Sequence, residues 1–373
     1  MIDIHNFCKL KTQAACFDNG SNIYFFSNQF NALFVMNYHK KSCEYVTSFD
    51  RDPFFQESLY TKALYYADKI FLIPCVAANI AVYDIKKKET RYLYIEDEFL
   101  NYNVIDYRED EILLFPVKYR AWGWRISLSN EKVSKIELDF SGYEDLLKER
   151  ESLCFYGNAM VRDFAYFAIY ASDKYLVYDI VNNVCSIKTN EDGMTFTGAF
   201  KYESAVAFLS IDGTEVSFFD PIENVWNKKI ALKYAQLRNT FSNGNLMAYT
   251  ELIACEGGVL LCIPAFGNNL IIVKDYAVSE SIDFDWDKLK LEKEDGQAFA
   301  TIVEKDGTII LMPYECGVWG DLHSMELSLH NLDMKDDEII NIIKTYKDNG
   351  LPLIHKDIMN ENEMTLKMFI QCL

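Results

Sequence analysis

IFLIPCVAANIAVYDI, residues 70–85, contains two signals that return along the chain. The first is the continuously apolar run IFLI, which ends at Pro74. The second comes about ten residues later, where AVYD ends in an aromatic residue and Asp84. A short apolar run without alternation of apolar and polar residues is typical of a strand that is buried on both faces.

The apolar run occurs seven times. Its marker positions are Ser27, Pro74, Pro116, Tyr170, Ser210, Pro264 and Pro313, which are 47, 42, 54, 40, 54 and 49 residues apart. The second signal returns in LVYDI at Asp179 and SFFDP at Asp220, and more weakly in VKDY at Asp275. An Asp at this position can accept a bond from the backbone two residues on and so begin a tight turn. A period in this range is that of β-propeller blades.

A short apolar or aromatic segment precedes each run, and a further strand such as RYLYI follows the Asp. Each unit therefore predicts four strands, and residues 1–330 predict an all-β, seven-bladed β-propeller. The last blade is predicted to lack an outer strand, so we expect the N-terminal segment IDIHNFCKL to supply it.

Residues 331–373 predict a helical C-terminal segment. LDMKDDEIINIIKTYKDNG places Ile339, Ile340, Ile343 and Tyr346 on one side of a helix that Gly350 and Pro352 end. ENEMTLKMFIQCL has the apolar spacing of a second helix. The alternatives are a tail that packs on the propeller and a free helix that docks to a partner.

VSFFDPIENVWNKK, Val216 to Lys229, resembles the kelch segment, in which an aromatic residue and Asp-Pro precede a short polar turn and Trp226. The resemblance implies the kelch type of β-propeller, the architecture that galactose-oxidase-like enzymes also have. Those enzymes hold copper with two His and two Tyr, a set that has no match here. The paired glycines that usually follow the second kelch strand are replaced here by Pro or Ser.

Acidic residues outnumber basic ones, with 56 Asp and Glu against 37 Lys and Arg and a net charge of −19. A surface of this sign repels nucleic acid and anionic membranes. The start MIDIHNFCKLKTQ lacks the features of an export signal, and no apolar run approaches the ~20 residues of a membrane span. We therefore expect a cytoplasmic protein with neither a nucleic-acid nor a membrane partner.

Ten cysteines occur, most of them in or beside apolar runs and none in a CxxC pair. This pattern favours buried free thiols over a disulfide or metal framework. The five histidines have no HxH or HExxH spacing, and no nucleophile elbow, phosphate-binding loop or dinucleotide fingerprint is present. We therefore predict neither a metal nor a cofactor, and assign no catalytic residue.

The best candidate site is FPVKYRAWGWR, residues 115–125, where a second strand turns into a third. Tyr119, Arg120, Trp124 and Arg125 form an aromatic and basic cluster that suits an anionic or planar ligand. Alternatively, the basic residues neutralise the adjacent acidic turn REDE, residues 108–111. Trp122, the first residue of the third strand, is also included in the candidate binding site, although its position favours a place in the core at the rim.

The last blade repeats this arrangement, because Pro313 precedes Trp319 by six residues, as Pro116 precedes Trp122. Trp319 is likewise included in the candidate binding site although its position favours the core, and Glu315, Asp321 and His323 form an acidic counterpart to the basic cluster. Two longer loops, 50–61 and 233–245, add to the candidate surface. In the first, Phe54 and Phe55 either form an exposed rim for a partner or plug a gap between blades.

Two functional classes fit these features. The first is a non-catalytic propeller that binds a protein or peptide partner through its loop face. The second is a carbohydrate-binding or carbohydrate-active propeller, because aromatic rings with Arg and carboxylates also suit sugars. Fold alone does not separate the two classes, since propellers host both.

Overall fold

The computed structural model describes residues 9–96, 101–143, 153–190, 192–233, 248–284, 286–289, 297–323 and 326–352. The chain forms two compact units. Unit one comprises Met1–Leu100 and Asp287–Leu373, and unit two comprises Asn101–Trp286. Each unit is built from antiparallel four-stranded meanders, in which strands pair in chain order.

Unit one contains three four-stranded sheets. The first sheet consists of β1 (Thr12–Phe17), β2 (Asn22–Ser27), β3 (Leu33–Asn37) and β4 (Ser42–Thr47). The second consists of β5 (Tyr60–Tyr66), β6 (Lys69–Pro74), β7 (Asn79–Asp84) and β8 (Glu89–Tyr94). The third consists of β25 (Phe299–Lys305), β26 (Thr308–Pro313), β27 (Val318–His323) and β28 (Glu326–Asn331). Helix α2 (Asp336–Asp348) follows.

Unit two contains two four-stranded sheets and one of eight strands. The four-stranded sheets are β9 (Tyr102–Arg108), β10 (Glu111–Pro116), β11 (Trp122–Ser127) and β12 (Lys132–Glu137), and β21 (Tyr249–Cys255), β22 (Val259–Pro264), β23 (Asn269–Lys274) and β24 (Ala277–Asp283). The eight-stranded sheet combines the meander β13 (Phe155–Val161), β14 (Phe164–Ile169), β15 (Lys174–Asp179) and β16 (Val184–Thr189) with the meander β17 (Phe196–Tyr202), β18 (Ala205–Ser210), β19 (Glu215–Asp220) and β20 (Val225–Ala231). A parallel pair at Gly157 and Ala199 joins the two meanders, and a short helix, α1 (Trp286–Leu289), follows β24.

The elements are almost all strands, which confirms the all-β prediction. Burial decreases from the second strand of each meander to the fourth. The second strand of each meander carries the apolar run and is almost continuously buried, as in β6 and β18. The fourth strand is mostly exposed and alternates in accessibility, as in β12 and β28. This gradient explains why the second strand shows no alternation in the sequence, since both of its faces pack against other residues.

The predicted Asp turns are confirmed at three positions. Oδ1 of Asp84, Asp179 and Asp220 accepts bonds from the backbone N–H groups two and three residues on, at 2.8–3.1 Å. The weaker copy differs, because Asp275 itself takes a left-handed conformation, with φ of 51°. Each Asp therefore closes the turn between the third and fourth strands and has a structural role there.

The first strand of six meanders begins with a buried aromatic residue, a repeat that the sequence analysis did not identify. These residues are Tyr60, Tyr102, Phe155, Phe196, Tyr249 and Phe299, which are at most 3% exposed. In β5, β17, β21 and β25 a β-bulge follows the aromatic residue directly. A bulge at the same end of several strands re-aims the side chains beside it.

Helix α2 lies within the predicted helical segment and packs on the core of unit one. Ile339, Ile342, Ile343 and Tyr346 are its buried residues, so Ile342 takes the place predicted for Ile340. The hydroxyl of Tyr346 points at the backbone carbonyls of Phe49 and Asp52. The second predicted helix lies outside the described residues.

The last sheet contains four strands from the C-terminal side of the chain, with β28 at its edge. Glu326–Asn331 forms the outer strand of this sheet and VWGDLH, residues 318–323, forms the third, so the prediction that the last blade lacks an outer strand was wrong. The N-terminal segment predicted for this edge lies mostly outside the described residues. Lys9 forms a single antiparallel bridge with Asp333.

Phe54 is buried and does not form an exposed rim. Its ring stacks on Phe30 at 5.2 Å and lies 5.1 Å from the ring of Tyr346. Phe55 is half-buried and packs edge-on against Phe54 at 4.9 Å. The loop therefore fills the core of unit one, as in the second of the two predicted alternatives. Most of the other predicted loop, 233–245, lies outside the described residues.

Candidate functional site

The loop between β10 and β11 is held against the segment that enters β13. Lys118 forms an antiparallel bridge with Cys154. The N–H of Tyr119 donates to the carbonyl oxygen of Leu153 at 3.1 Å, and the N–H of Tyr170 donates to the carbonyl oxygen of Cys154 at 2.9 Å. One short stretch of backbone, 153–154, thereby positions two loops from neighbouring meanders of unit two.

Three partly exposed tyrosines gather on this stretch. Tyr119, Tyr156 and Tyr170 are 37%, 38% and 44% exposed. The rings of Tyr156 and Tyr170 lie 5.5 Å apart at 70°. Tyr119 packs edge-on against the ring of Phe140 at 5.0 Å. We refer to Tyr119, Tyr156 and Tyr170, with the exposed Lys118, as the tyrosine surface.

Two of these tyrosines differ in type from the residues at the equivalent positions of the other meanders. Tyr170 occupies the marker position, where the other meanders have a buried Pro or Ser, and it lies just beyond β14. Tyr156 is the second residue of its first strand, where the other meanders have Gln13, Thr61, Asn103, Thr197, Thr250 and Ala300. The sequence analysis recorded Tyr170 only as a marker and missed Tyr156. A comparison of equivalent positions would have found both.

Each tyrosine of this surface combines an aromatic ring with a hydroxyl group. Burial raises the pKa of Tyr156, and Cys154 and Tyr170 raise it further. A neutral phenol can both donate and accept a hydrogen bond, while its ring offers apolar area. The surface can therefore contact a mixed polar and apolar ligand, but no nucleophile with an adjacent base is present among its four residues.

The two tryptophans of the predicted site differ in exposure from the prediction, Trp124 being the more buried of the two. Trp124, expected to face a ligand, is only 6% exposed, and its Nε1–H donates to the hydroxyl of Tyr102 at 3.0 Å. Trp122, expected in the core, is half-buried, with Lys135 Nζ 4.6 Å and the Arg120 guanidinium 5.7 Å from its ring centre. Trp124 is the third residue of β11, and its side chain reaches the buried Tyr102, which begins β9. Trp122 is the first residue of β11 and lies closer to solvent.

Arg125 does not belong to the same cluster. Its Nε lies 3.0 Å from Oε1 of Glu111, and its guanidinium lies 5.8 Å from the ring centre of Tyr107. Side chains alternate along a strand, so Arg125 points to the opposite face of the sheet from Trp122 and Trp124. This ion pair matches the alternative in which a basic residue neutralises the acidic turn.

The predicted set in unit one is partly buried. Trp319 is 1% exposed and packs 4.5 Å from the ring of His330, which agrees with its expected place in the core. Asp321 is half-buried and His323 is exposed, and alternation puts both on the same face of β27 as Trp319. Lys41 Nζ lies 3.3 Å from Nδ1 of His330. Burial, followed by the charge of Lys41, lowers the pKa of His330.

Glu315 lies at the loop between β26 and β27, beside Tyr314. Burial raises the pKa of Tyr314, and the negative charge of Glu315 raises it further. A hydrogen bond from Asn28 opposes this shift. No group of three His, Cys, Asp or Glu that could hold a metal ion occurs among the described residues, so this acidic set offers no metal site there.

A pocket of about 460 Å³ lies beside the outer strands of unit two. Its lining residues are Ala231, Lys233, Asn269, Ile271, Val278, Ser281 and Asp283. Asn269 Nδ2 donates to the carbonyl oxygen of Lys233 and to Ser281, both at 2.9 Å, and its Oδ1 accepts from Tyr249 at 2.9 Å. The buried Asn269 side chain of the pocket lining is therefore already bonded within the protein.

The eight described cysteines are free thiols, four of them buried and four half-buried. Burial raises the pKa of the Cys43 thiol to about 12, and the charges of Glu338 and Glu44 raise it further. Such a thiol is a poor nucleophile at neutral pH. Within the described part of the chain, no helix is long and apolar enough to cross a membrane.

No protein-family model matches the chain, and no curated protein matches its sequence. Solved structures are similar in fold. Virginiamycin B lyase from Staphylococcus aureus superposes with a TM-score of 0.60 at 11% identity, over 84% of this chain and 94% of the lyase. A chain of the mitotic checkpoint complex gives 0.53 at 9%, over 90% and 89%. Kluyveromyces lactis Hsv2 gives 0.52 at 9%, over 87% and 99%. These neighbours are β-propellers, and the chain therefore has the β-propeller fold.

Proposed function

We propose that this propeller binds a protein or peptide partner through the tyrosine surface and has no catalytic activity of its own. The observation that carries the proposal is that Tyr119 and Tyr170 bond to the backbone of residues 153–154, that Tyr156 follows two residues later, and that all three rings are partly exposed. Two of them replace residues that are small, polar or buried at equivalent positions. Packing of the fold therefore does not account for their presence.

Tyrosine suits a binding surface for physical reasons. Its ring supplies a large contact area with few rotatable bonds, and its hydroxyl bonds to backbone groups of a partner. Tyr and Trp are enriched among residues that dominate binding energy. The backbone bonds of Tyr119 and Tyr170 and the packing of Tyr119 on Phe140 restrict these rings before a partner arrives. Such restriction lowers the entropic cost of binding.

The finer architecture is also part of this proposal. We count the eight-stranded sheet as two blades, because one residue pair is the only strand pairing between its two meanders, β13–β16 and β17–β20, and thereby obtain seven blades. The Asp turns support a kelch-like repeat. The free thiols support the cytoplasmic location expected from the sequence.

A pull-down from the native source with the purified full-length chain tests the proposal. The variant is Tyr156→Ala with Tyr170→Ala, and the matched control is Tyr94→Ala, which removes a tyrosine that is 69% exposed on β8. We expect the wild type and the control to recover the same partner and the double variant to lose it. Equal recovery by a folded double variant would rule out this surface.

Carbohydrate is the second candidate, favoured by the same exposed aromatic rings. A glycan array with wild type and the double variant separates the two classes. Binding of glycans by the wild type, lost in Tyr156→Ala with Tyr170→Ala, would replace the protein partner with a sugar ligand.

A further inference from the structure

Charge is unevenly distributed along the sheet β9–β12. At the end where β9 turns into β10 and β11 turns into β12, the acidic residues are Glu109, Asp110, Glu111 and Glu131, and the basic ones are Arg108 and Lys132. At the opposite end, Lys118, Arg120 and Lys135, whose ammonium reaches the ring of Trp122, are the basic residues, and Glu137 and Asp139 are the acidic ones. Six-residue strands separate the two ends by roughly 20 Å.

The tyrosine surface is at the basic end. Tyr119 lies between Lys118, which is exposed, and Arg120. The acidic residue nearest in sequence to Tyr170 is Asp173, and Lys174 Nζ lies 3.5 Å from its Oδ1. Lys174 compensates the charge of Asp173, and Lys118 is the charged side chain of the surface itself. Its charge is opposite in sign to the net charge of −19 of the whole chain.

The surface is also elongated. Tyr119 and Tyr170 bond to consecutive carbonyl groups, those of Leu153 and Cys154, and Tyr156 follows two residues later. Four residues of strand span roughly 10 Å, the length of about three residues of an extended peptide. Rings at 70° to each other present an uneven ridge, which a narrow extended chain can follow more closely than a flat surface can.

From this charge and shape, we infer that the tyrosine surface recognises an extended acidic peptide segment, in which a carboxylate pairs with Lys118 while the backbone and apolar side chains lie on the tyrosine rings. The inference rests on the proposed function and names the chemistry of its partner. The acidic surface elsewhere on this chain would repel the same segment, so charge directs it to this place.

Three fluorescently labelled decapeptides serve as probes: (Glu-Pro)₅, (Gln-Pro)₅ and (Lys-Pro)₅. Alternate prolines keep each peptide extended, so the three differ in charge but not in backbone conformation. Binding to the full-length chain is measured by fluorescence anisotropy at about 20 mM and about 500 mM NaCl, because salt screens exposed charges. We expect the Glu peptide to bind about fivefold or more tightly than the Gln peptide at low salt, and the Lys peptide to bind least.

Two variants locate the interaction. Lys118→Glu should weaken the Glu peptide about fivefold or more and leave the Gln peptide unchanged, whereas Tyr156→Ala with Tyr170→Ala should weaken both. Lys132→Glu, at the opposite end of the same sheet, is the matched charge control and should have no effect. Circular dichroism confirms that each variant is folded.

Equal binding of the Glu and Gln peptides, or no binding of any peptide, would overturn the inference. So would a Glu-peptide affinity that Lys118→Glu leaves unchanged. A different result would overturn the proposed function, so the two can be told apart. If the pull-down loses the partner with Tyr156→Ala and Tyr170→Ala but recovers it fully with Lys118→Glu, the surface binds a peptide or protein partner and the acidic segment is ruled out.

Discussion

Gly157 on β13 and Ala199 on β17 approach so closely that a Cβ at Gly157 would lie 2.0 Å from the carbonyl oxygen of Ala199. Gly157 also has φ of 115°, a conformation that glycine adopts without steric cost. This pair is the parallel pairing of β13 with β17 that joins the two halves of the eight-stranded sheet. Because Gly157 follows Tyr156 directly, the same contact fixes the backbone beside the tyrosine surface.

Gly157→Ala should therefore be strongly destabilising, by about 3 kcal/mol or more, because both the backbone conformation and the neighbouring carbonyl oppose a methyl group. Gly193→Ala is the matched control. Gly193 also has a positive φ, of 67°, but no atom lies within 4 Å of its added Cβ, so about 1 kcal/mol is expected. Urea unfolding of both variants gives the comparison. Similar losses for the two would mean that the close approach to Ala199 is not what requires glycine.

Tyr346→Phe should destabilise unit one by about 1–2 kcal/mol, because the carbonyls of Phe49 and Asp52 lose a buried donor. Asn31 Nδ2 still donates to both carbonyls at 2.7 and 2.8 Å, which limits the loss. Thermal unfolding of this variant beside Tyr94→Phe, at an exposed position, is the measurement. If both variants unfold at the wild-type temperature, the hydroxyl does not help to hold α2 on the loop.

The repeated apolar run and the Asp turns made the fold predictable. Their signals are local: an apolar run such as residues 70–73 must be buried on both faces, and Asp84 bonds to its own turn. The number of strands in the last sheet was harder to predict. Its third strand, VWGDLH, residues 318–323, mixes polar and apolar residues and does not resemble the other third strands. The helix face was predicted correctly except for one residue, Ile342 in place of Ile340.

The candidate site was predicted only in part, because proximity in sequence is a poor guide to proximity across sheets. Tyr119 lies where the sequence suggested, but its neighbours Tyr156 and Tyr170 are 37 and 51 residues further along the chain. Backbone bonds to Leu153 and Cys154 bring them together. Conversely, Trp124 and Arg125 are adjacent in sequence yet point to opposite faces of β11, as strand geometry requires.

Asp179→Ala should lower stability modestly, by about 0.5–1 kcal/mol, because the N–H groups of Val181 and Asn182 lose their acceptor at a largely solvated turn. The bond from the side chain of Asn182 lowers the pKa of Asp179, and the two backbone bonds act in the same direction. A carboxyl group whose pKa is lower in the folded state stabilises the protein above its ordinary pKa of 3.8. That stabilisation is lost as the pH falls from 3.8 through the lower, folded value.

The pH dependence provides the control for this turn. Asp179→Asn retains an oxygen acceptor but has no charge to titrate, so its stability relative to wild type should improve as the pH falls below 3.8. Urea midpoints at pH 7 and at about pH 3 measure the effect. A constant difference between Asp179→Asn and wild type across this range would contradict the contribution of the carboxylate.

Trp124→Phe should reduce stability without affecting partner binding. The substitution removes the Nε1–H that donates to Tyr102 at 3.0 Å and leaves a small void at a position that is 6% exposed, at an expected cost of about 1–2 kcal/mol. A variant with both Trp124→Phe and Tyr102→Phe removes the two partners together and should cost less than the sum of the single changes. Urea unfolding measures the cost, and the pull-down used for the tyrosine surface measures binding. The pull-down is done well below the unfolding temperature of the Trp124→Phe variant. If this folded variant loses the partner, Trp124 belongs to the binding site, and the site does not lie at Tyr156 and Tyr170.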